Sequence, residues 1–475
     1  MYLLIDIGST YTKLVCVNTS GDIIAAARSP TTVETDVNEG LKAVREEAER
    51  QAGQSLYYEK ASLSSSAAGG LKMVVVGLVP VFTVEAARRA ALGAGAKVLA
   101  TYSYELTNRE ACEIETLAPD IVLLAGGTDG GDQRVLLHNA VVLAGKLPEG
   151  TAVLVGGNKV CTAKALEVLR RKGRALKVYF TENIMPELNR LNIEPAREAI
   201  RSIFLERIVK SKGVAEITRT LPRGKMIMPT PVAVMRAAEL LAKGTGDQAG
   251  LGNVVVIDVG GATTDVHSVG EPVPAGRLFR GLPELFVKRT VEGDLGIRCN
   301  AMTLATFISE GRLQDRFPKP SFRDSSEELE RYAGFVSRQK DYLPKSSREK
   351  ELDVLMGTVA GALALERHAG RLEEVPTAQG LVEVQIGKDL SQTALLIGTG
   401  GVFNYSGLPG KILSGVLQFR GDPQTLRPAD PELRYDAPYA LFAAGLMREV
   451  DEQAAFRLAL NCLAAPAEIE TDGGA

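Results

Sequence analysis

Residues 254–267, VVVIDVGGATTDVH, constrain the fold more than any other stretch of the chain. Val254, Val255, Val256 and Ile257 form an apolar run short enough for a buried strand, and it stops at an acid and two glycines. A β-branched run that ends abruptly at glycine signals a strand followed by a turn. Glycine lets the backbone come close to a ligand, and the N–H groups of such a turn can point at an anion. A carboxylate at the strand end repels phosphate unless a divalent cation lies between them. Asp258 occupies that place, and Asp265 follows seven residues later. The stretch reads as a phosphate-binding hairpin with a metal-holding acid. Taken alone, it also fits an ordinary turn with a chance aspartate.

The N-terminus repeats the pattern. Leu3, Leu4 and Ile5 lead into Asp6, then Gly8, Ser9, Thr10, Thr12 and Lys13, and apolar residues resume at Leu14. Both stretches run strand, Asp, Gly, hydroxyls, strand. Neither is a Walker loop, which needs Gly-x-x-x-x-Gly-Lys-[Ser/Thr] opening a helix. A third glycine turn comes late, with Gly398, Thr399, Gly400 and Gly401 after the apolar residues 394–397. The spacing of the three predicts two similar lobes closing on one nucleotide.

A chain of 475 residues is too long for one ordinary core and predicts several domains. No apolar run approaches the ~18 residues of a membrane span, which predicts a soluble, cytoplasmic protein. Lys+Arg (55) nearly balance Asp+Glu (58) and are dispersed, so no nucleic-acid surface is expected. The five cysteines have no CxxC or CxxH spacing and read as buried free thiols. With only three histidines, a His-ligated metal is not expected.

Short apolar strands at 97–102, 120–124, 152–155 and 177–180 alternate with helical segments, which predicts a parallel sheet flanked by helices. Its strand ends carry Gly126, Gly127, Thr128, Asp129, Gly130 and Gly131, and then Gly156, Gly157 and Asn158. These ends suit either tight turns or a small-ligand or partner site. A helix is expected over 83–92 with Thr83 as its N-cap. The charged stretch 309–350 reads as a solvated helical excursion.

Asp-Ile-Gly-Ser-Thr at 6–10, Asp-Val-Gly-Gly-Ala-Thr-Thr-Asp at 258–265 and Gly-Thr-Gly-Gly at 398–401 resemble three motifs of one superfamily. They look like the phosphate-1, phosphate-2 and adenosine motifs of the actin, heat-shock-chaperone and sugar-kinase ATPases. At a finer level the chain resembles the MutL/GlmL group, accessory proteins of adenosylcobalamin-dependent glutamate mutase and related aminomutases. Residues 64–73, 124–131, 181–186 and 289–296 carry that match.

The resemblance implies an α/β, two-lobed actin-like (ribonuclease H-like) ATPase fold with an inserted Rossmann-like domain. The expected boundaries are lobe I at 1–94, the insertion at 95–190, a return with an interlobe helix at 191–245, lobe II at 246–463 and a disordered tail at 464–475. ATP or ADP is the implied ligand. Asp6 and Asp258 would hold Mg²⁺ through its waters, with Asp265 a further candidate catalytic acid. Gly8, Ser9, Thr10, Thr12 and Lys13 would hold phosphates from one side, and Gly260, Gly261, Thr263 and Thr264 from the other. Gly398, Thr399, Gly400 and Gly401 would pack against adenosine. Met228 matches a water-positioning glutamate of the chaperones, so hydrolysis is expected to be slow. The implied function is a chaperone-like reactivating factor that exchanges damaged cobalamin on a partner mutase. A small-molecule kinase and a nucleotide-bound scaffold without turnover remain as alternatives.

Overall fold

The computed structural model describes residues 1–8, 10–32, 37–66, 71–172, 175–210, 226–274, 276–310, 313, 316–317, 326–378 and 380–466. By its internal contacts the chain divides into two units. One comprises 1–68, 216–280 and 284–475; the other comprises 69–215 and 281–283.

The first unit opens with a meander of β1 Tyr2–Ile7, β2 Tyr11–Val17 and β3 Ile23–Pro30. A helix over Val37–Ala52 then leads to β4 Lys60–Ser65, which lies parallel to β1. The second unit supplies β5 Lys72–Gly77, β6 Lys97–Ser103, β7 Ile121–Leu124, β8 Ala152–Val155 and β9 Lys177–Phe180. Back in the first unit, β10 Met226–Pro229 pairs parallel with β4 and runs into a helix over Thr230–Lys243. A second meander follows, of β11 Val254–Val259, β12 Thr264–Val269 and β13 Val287–Glu292. After a side hairpin of β14 Arg371–Thr377 and β15 Gly380–Ile386 come β16 Leu395–Thr399, β17 Glu432–Asp436 and the short β18 Leu463–Ala464.

The two large sheets of this unit share one plan. Their orders are β10-β4-β1-β2-β3 and β13-β12-β11-β16-β17-β18, each an antiparallel meander continued by two parallel strands. This is the ribonuclease H-like plan used twice, giving the two-lobed actin-like fold. Because side chains alternate along a strand, one face of each sheet can serve a shared core. Leu4, Val15 and Val17 from one sheet and Val254 and Val256 from the other pack with the helices Thr230–Lys243 and Leu441–Met447. Those two helices approach so closely that a Cβ on Gly445 would lie 1.7 Å from the Ala233 carbonyl oxygen. The opposite face of the second sheet, with Val255, Ile257 and Val266, is covered by the helices Ala301–Ser309, Ser326–Arg338, Ser347–His368 and Pro409–Gln418.

The second unit is a five-stranded, all-parallel sheet in the order β6-β5-β7-β8-β9. All residues of β7 and β8 are buried, as expected of strands covered on both faces. It begins at 69 rather than the expected 95, because β5 sits inside its sheet between β6 and β7. The helix Glu194–Lys210, assigned from sequence to the return path, also belongs to it. Arg207 of that helix pairs with Asp120 at 2.5 Å.

Other expectations shift as well. The helix at Glu85–Gly93 begins after a π-turn over Pro80–Val84, and Thr83 does not cap it. Its hydroxyl instead accepts from the N–H groups of Leu78 and Val79, both at 2.9 Å. The charged excursion is only partly wet: Leu329, Tyr332, Ala333 and Val336 are buried in the lobe II core. All five cysteines are free, yet Cys112 and Cys299 are exposed rather than buried. Positions 467–475 of the expected tail lie outside the described residues. Among the described residues, no helix is long and apolar enough to cross a membrane.

Candidate functional site

Both hairpins close by the same hydrogen bond. The Gly8 N–H donates to the Tyr11 carbonyl at 3.0 Å, and the Gly260 N–H donates to the Thr263 carbonyl at 2.9 Å. A side chain at either glycine would collide with that carbonyl: a built Cβ lies 2.6 Å from it at Gly8 and 2.9 Å at Gly260. The turns face each other, since a Cβ on Gly261 would sit 3.4 Å from Thr10 Oγ1. Ser9 lies outside the described residues.

Asp6 ends β1 opposite Lys13 of β2 and is 1% exposed. Its Oδ2 meets Lys13 Nζ at 2.8 Å. Its Oδ1 accepts from Ser64 Oγ at 2.7 Å and from Thr230 Oγ1 at 2.5 Å. Burial alone would lower the Lys13 pKa, but Asp6 foremost, with Tyr439 and Asp258, raises it above the ordinary lysine range. The carboxylate is largely committed to its neighbours, which favours a role in fixing Lys13 over one in holding a metal. Met228 pairs with Ser64 across the strands but is 4% exposed, inside the apolar layer between the lobes. Thr230, two residues on, is the group that reaches Asp6. A glutamate at 228 would bury a carboxylate among apolar side chains rather than orient water.

In the second hairpin the residue opposite the strand-end acid is another acid. Asp258 pairs in register with Asp265. Asp265 is held from the next strand: Arg289 Nε and Nη2 reach its Oδ1 at 2.8 and 2.5 Å, and Thr263 Oγ1 donates to its Oδ2 at 3.0 Å. Among the described residues the Asp258 carboxylate has no hydrogen bond or ion pair. It keeps partial solvent access, while burial and then Asp265 push its pKa up to about 7. An acid left unpaired beside a like charge suits a divalent cation, and magnesium takes only one or two carboxylates plus water. No group of three or more potential ligands exists among the described residues. Of the two strand-end acids expected at a cation, Asp6 is thus engaged by Lys13, Ser64 and Thr230, and Asp258 is the one without such partners among the described residues.

Three threonines expected at the ligand are engaged within the protein. Thr12 Oγ1 meets Thr31 Oγ1 at 3.1 Å, Thr264 Oγ1 donates to the Leu295 carbonyl at 2.7 Å, and Thr399 Oγ1 donates to Asp436 at 2.9 Å. All three are buried. The late glycines also have packing reasons. A Cβ on Gly398 would fall 2.3 Å from the Phe403 ring, and one on Gly400, which has φ +107°, 2.2 Å from the Val259 carbonyl. Gly401 remains at the cleft, with Thr10 and Gly261.

Aromatic side chains shut this cleft. Tyr439, missed in the sequence, lies 3.8 Å below Lys13 Nζ. Tyr11 packs on Tyr405 with ring centroids 6.1 Å apart, and its hydroxyl donates to the Asp341 carbonyl at 3.0 Å. Arg28 stacks over Tyr405 at 4.2 Å. The cavity left among Thr10, Gly261, Arg298, Gly401, Tyr405 and Tyr439 is about 60 Å³. Ligand pockets usually run to roughly 300–1,000 Å³, so a nucleotide enters only if the lobes part or these rings swing.

The glycine-rich ends in the second unit are internally satisfied. Asn158 is fully buried and bonds to Gly130 N, Val160 N and the carbonyls of Gly131 and Asp132. Asp129 accepts from Asn183 Nδ2 at 2.8 Å and Lys159 N at 3.0 Å. Of the two sequence readings, this geometry favours the tight turn.

Residues 2–463 match the model of a family described as MutL protein. The chain is 45% identical over 455 residues to Protein MutL of Clostridium tetanomorphum, covering 94% of this chain and 96% of that one. Similar solved structures are remote. A nucleotide-free acetone carboxylase shares 13% identity at a TM-score of 0.43, over 94% of this chain and 70% of the other. The ADPNP-bound activator of the 2-hydroxyisocaproyl-CoA dehydratase from Clostridium difficile shares 11% at 0.31, over 97% and 96%. A ROK family glucokinase from Streptomyces griseus with glucose and AMPPNP shares 12% at 0.34, over 95% and 99%. At these scores the remote structures carry no weight for function. The sequence match does, because it spans nearly the whole of both chains: the protein belongs to the MutL family.

Proposed function

We propose that this chain is a nucleotide-dependent accessory protein that binds ATP and Mg²⁺ between its two lobes, hydrolyses ATP slowly, and works on a partner enzyme in the cytoplasm. The observation that carries this reading is the repeated Asp-x-Gly hairpin, one per lobe, facing across one cleft. Backbone N–H groups of both turns and the Lys13 ammonium would receive phosphate oxygens. Asp258 would hold Mg²⁺ through its waters, and bound there the ion would neutralise charge between phosphates and carboxylate. Asp6 would position Lys13, and Arg289 would keep Asp265 from competing for the cation.

The closed cleft supports a switching role over rapid turnover. Entry of a nucleotide must displace the Tyr11 and Tyr439 contacts, so the empty and occupied states differ in lobe geometry. Two such states can act on a partner only if they bind it with different affinity. By resemblance the partner is an adenosylcobalamin-dependent mutase of the glutamate mutase or aminomutase class, and the work is chaperone-like exchange of a damaged cobalamin. A small-molecule kinase is less well supported, because Asp6 and Asp265 are already engaged by Lys13 and Arg289. A mutase inactivated by hydroxycobalamin should regain activity with this protein, ATP, Mg²⁺ and free adenosylcobalamin, and not without ATP. Failure with glutamate, ornithine and lysine mutases alike, together with phosphorylation of a small acid or sugar, would support the kinase instead.

A further inference from the structure

Behind the first hairpin lies a cavity of about 400 Å³, lined by Lys13, Arg28, Glu47, Gln51, Pro438 and Tyr439 among others. It is distinct from the cleft, and the Tyr439 side chain lines both. Its wall is cationic. Lys13 is 8% exposed and gives one N–H to Asp6 at 2.8 Å, leaving further donors. Arg28 stacks on Tyr405, and among the described residues its guanidinium has no carboxylate partner. The one carboxylate at the cavity, Glu47, is already engaged by Arg50 at 2.5 Å and Gln51 Nε2 at 3.1 Å.

On the far side of Arg28, Tyr405 belongs to the cleft and not to this cavity. Among the described residues the buried Tyr405 hydroxyl has no hydrogen-bond partner. Its ring rests between Arg28 and Tyr11. A buried polar atom with no partner is costly to leave so. An ammonium and a guanidinium fork without a carboxylate partner, both lining one hollow whose single carboxylate is already engaged, supply donors without a competing free acceptor. That is the chemistry of an oxyanion receptor.

We infer that this side cavity is a second ligand site, separate from the nucleotide cleft, that takes a small oxyanion of the phosphate or dicarboxylate class. Arg28 would provide the forked contact, and the one Lys13 N–H left over by Asp6 and a nucleotide phosphate would add a point charge. The occupant would draw Arg28 off Tyr405 and so loosen the aromatic closure of the cleft. The inference does not depend on a nucleotide occupying that cleft.

The test is equilibrium dialysis of radiolabelled inorganic phosphate against the full-length protein, with and without saturating ADP. One saturable site that persists in ADP is expected. Arg28→Ala should weaken it by at least ~10-fold, and Gln51→Leu, on the opposite wall, by a smaller factor, both with unchanged thermal melting. Unlabelled phosphate and succinate as competitors then tell which oxyanion fits better. Absence of saturable binding would overturn the inference. So would complete displacement by ADP with Arg28→Ala binding like the wild type, because the phosphate would then occupy the nucleotide's own site. Phosphate binding with no ADP binding would leave the side site standing and remove the nucleotide reading.

Discussion

The two hairpins are built alike and charged differently. An offset of 252 residues carries Asp6, Gly8 and Thr12 onto Asp258, Gly260 and Thr264, and it carries Lys13 onto Asp265. In the first hairpin the acid therefore faces a lysine across the strands, and a buried ion pair results. In the second it faces another acid, which Arg289 neutralises from the side, and Asp258 is left over. One hairpin is electrostatically complete in itself. The other leaves the Asp258 carboxylate without a hydrogen bond or ion pair among the described residues, so the same backbone carries one closed pair and one open acid.

Breaking the first hairpin should have the largest effect on stability. Removing one partner of a buried pair typically costs about 3–5 kcal/mol, so Lys13→Met should lower the urea midpoint steeply. A loss under about 1 kcal/mol would mean the pair is not the support described. The equivalent acid should behave in the opposite way. Asp258→Asn relieves a like-charge contact, so the melting temperature should hold or rise. Mg-dependent ATP turnover should fall by ~100-fold, about 2.7 kcal/mol on the barrier. A marked fall in melting temperature would show that Asp258 is structural after all.

Behind the second hairpin, Lys388 sharpens the comparison through pH. Its Nζ donates to the carbonyls of Ser268 at 3.2 Å and Phe286 at 2.7 Å, and burial, with Lys288, lowers its pKa to about 7. The unfolded lysine titrates near ~10.4, so between these values the unfolded chain binds more protons and stability rises with pH. From pH 7 to roughly 8.5 the gain should be about 1.5–2 kcal/mol, read by urea unfolding. Lys388→Met should flatten that rise; the same slope in both proteins would assign it elsewhere. The smallest effect belongs to Tyr11→Phe, which removes the Tyr11–Asp341 tether at a cost of about 1 kcal/mol. Easier opening should then tighten ATP binding by up to ~5-fold in calorimetry. Weaker binding would instead make the hydroxyl a ligand contact.

Asp6, Gly8, Asp258 and Gly260 were legible because each motif is local: strand, acid and turn lie within a few residues. The partners that decide what the acids do were not. Thr230 reaches Asp6 across 224 residues and Tyr439 meets Lys13 from lobe II, pairings that no window of sequence displays. Arg289 was visible only as part of a family segment, since its role depends on β13 lying beside β12. The late glycines, expected as a turn, fall at the end of β16 and the start of a short helix, and Gly398 and Gly400 leave space for Phe403 and the Val259 carbonyl. The insertion boundary was misplaced for a related reason. A hydrophobic strand at 72–77 does not announce which sheet it joins.

The pairing of β10 with β4 has a consequence for how the chain comes off the ribosome. β10 begins 161 residues after β4 ends, and the second unit lies between them. At roughly 5–20 residues per second, the edge of β4 waits about 10–30 s for its neighbour. By the end of that interval residues 69–215 of the second unit have been made, whereas the first sheet still lacks both an edge strand and the helix Thr230–Lys243 that buries its inner face. The nascent first lobe is then the species most exposed to wrong pairing, and its protection falls to whatever meets the emerging chain.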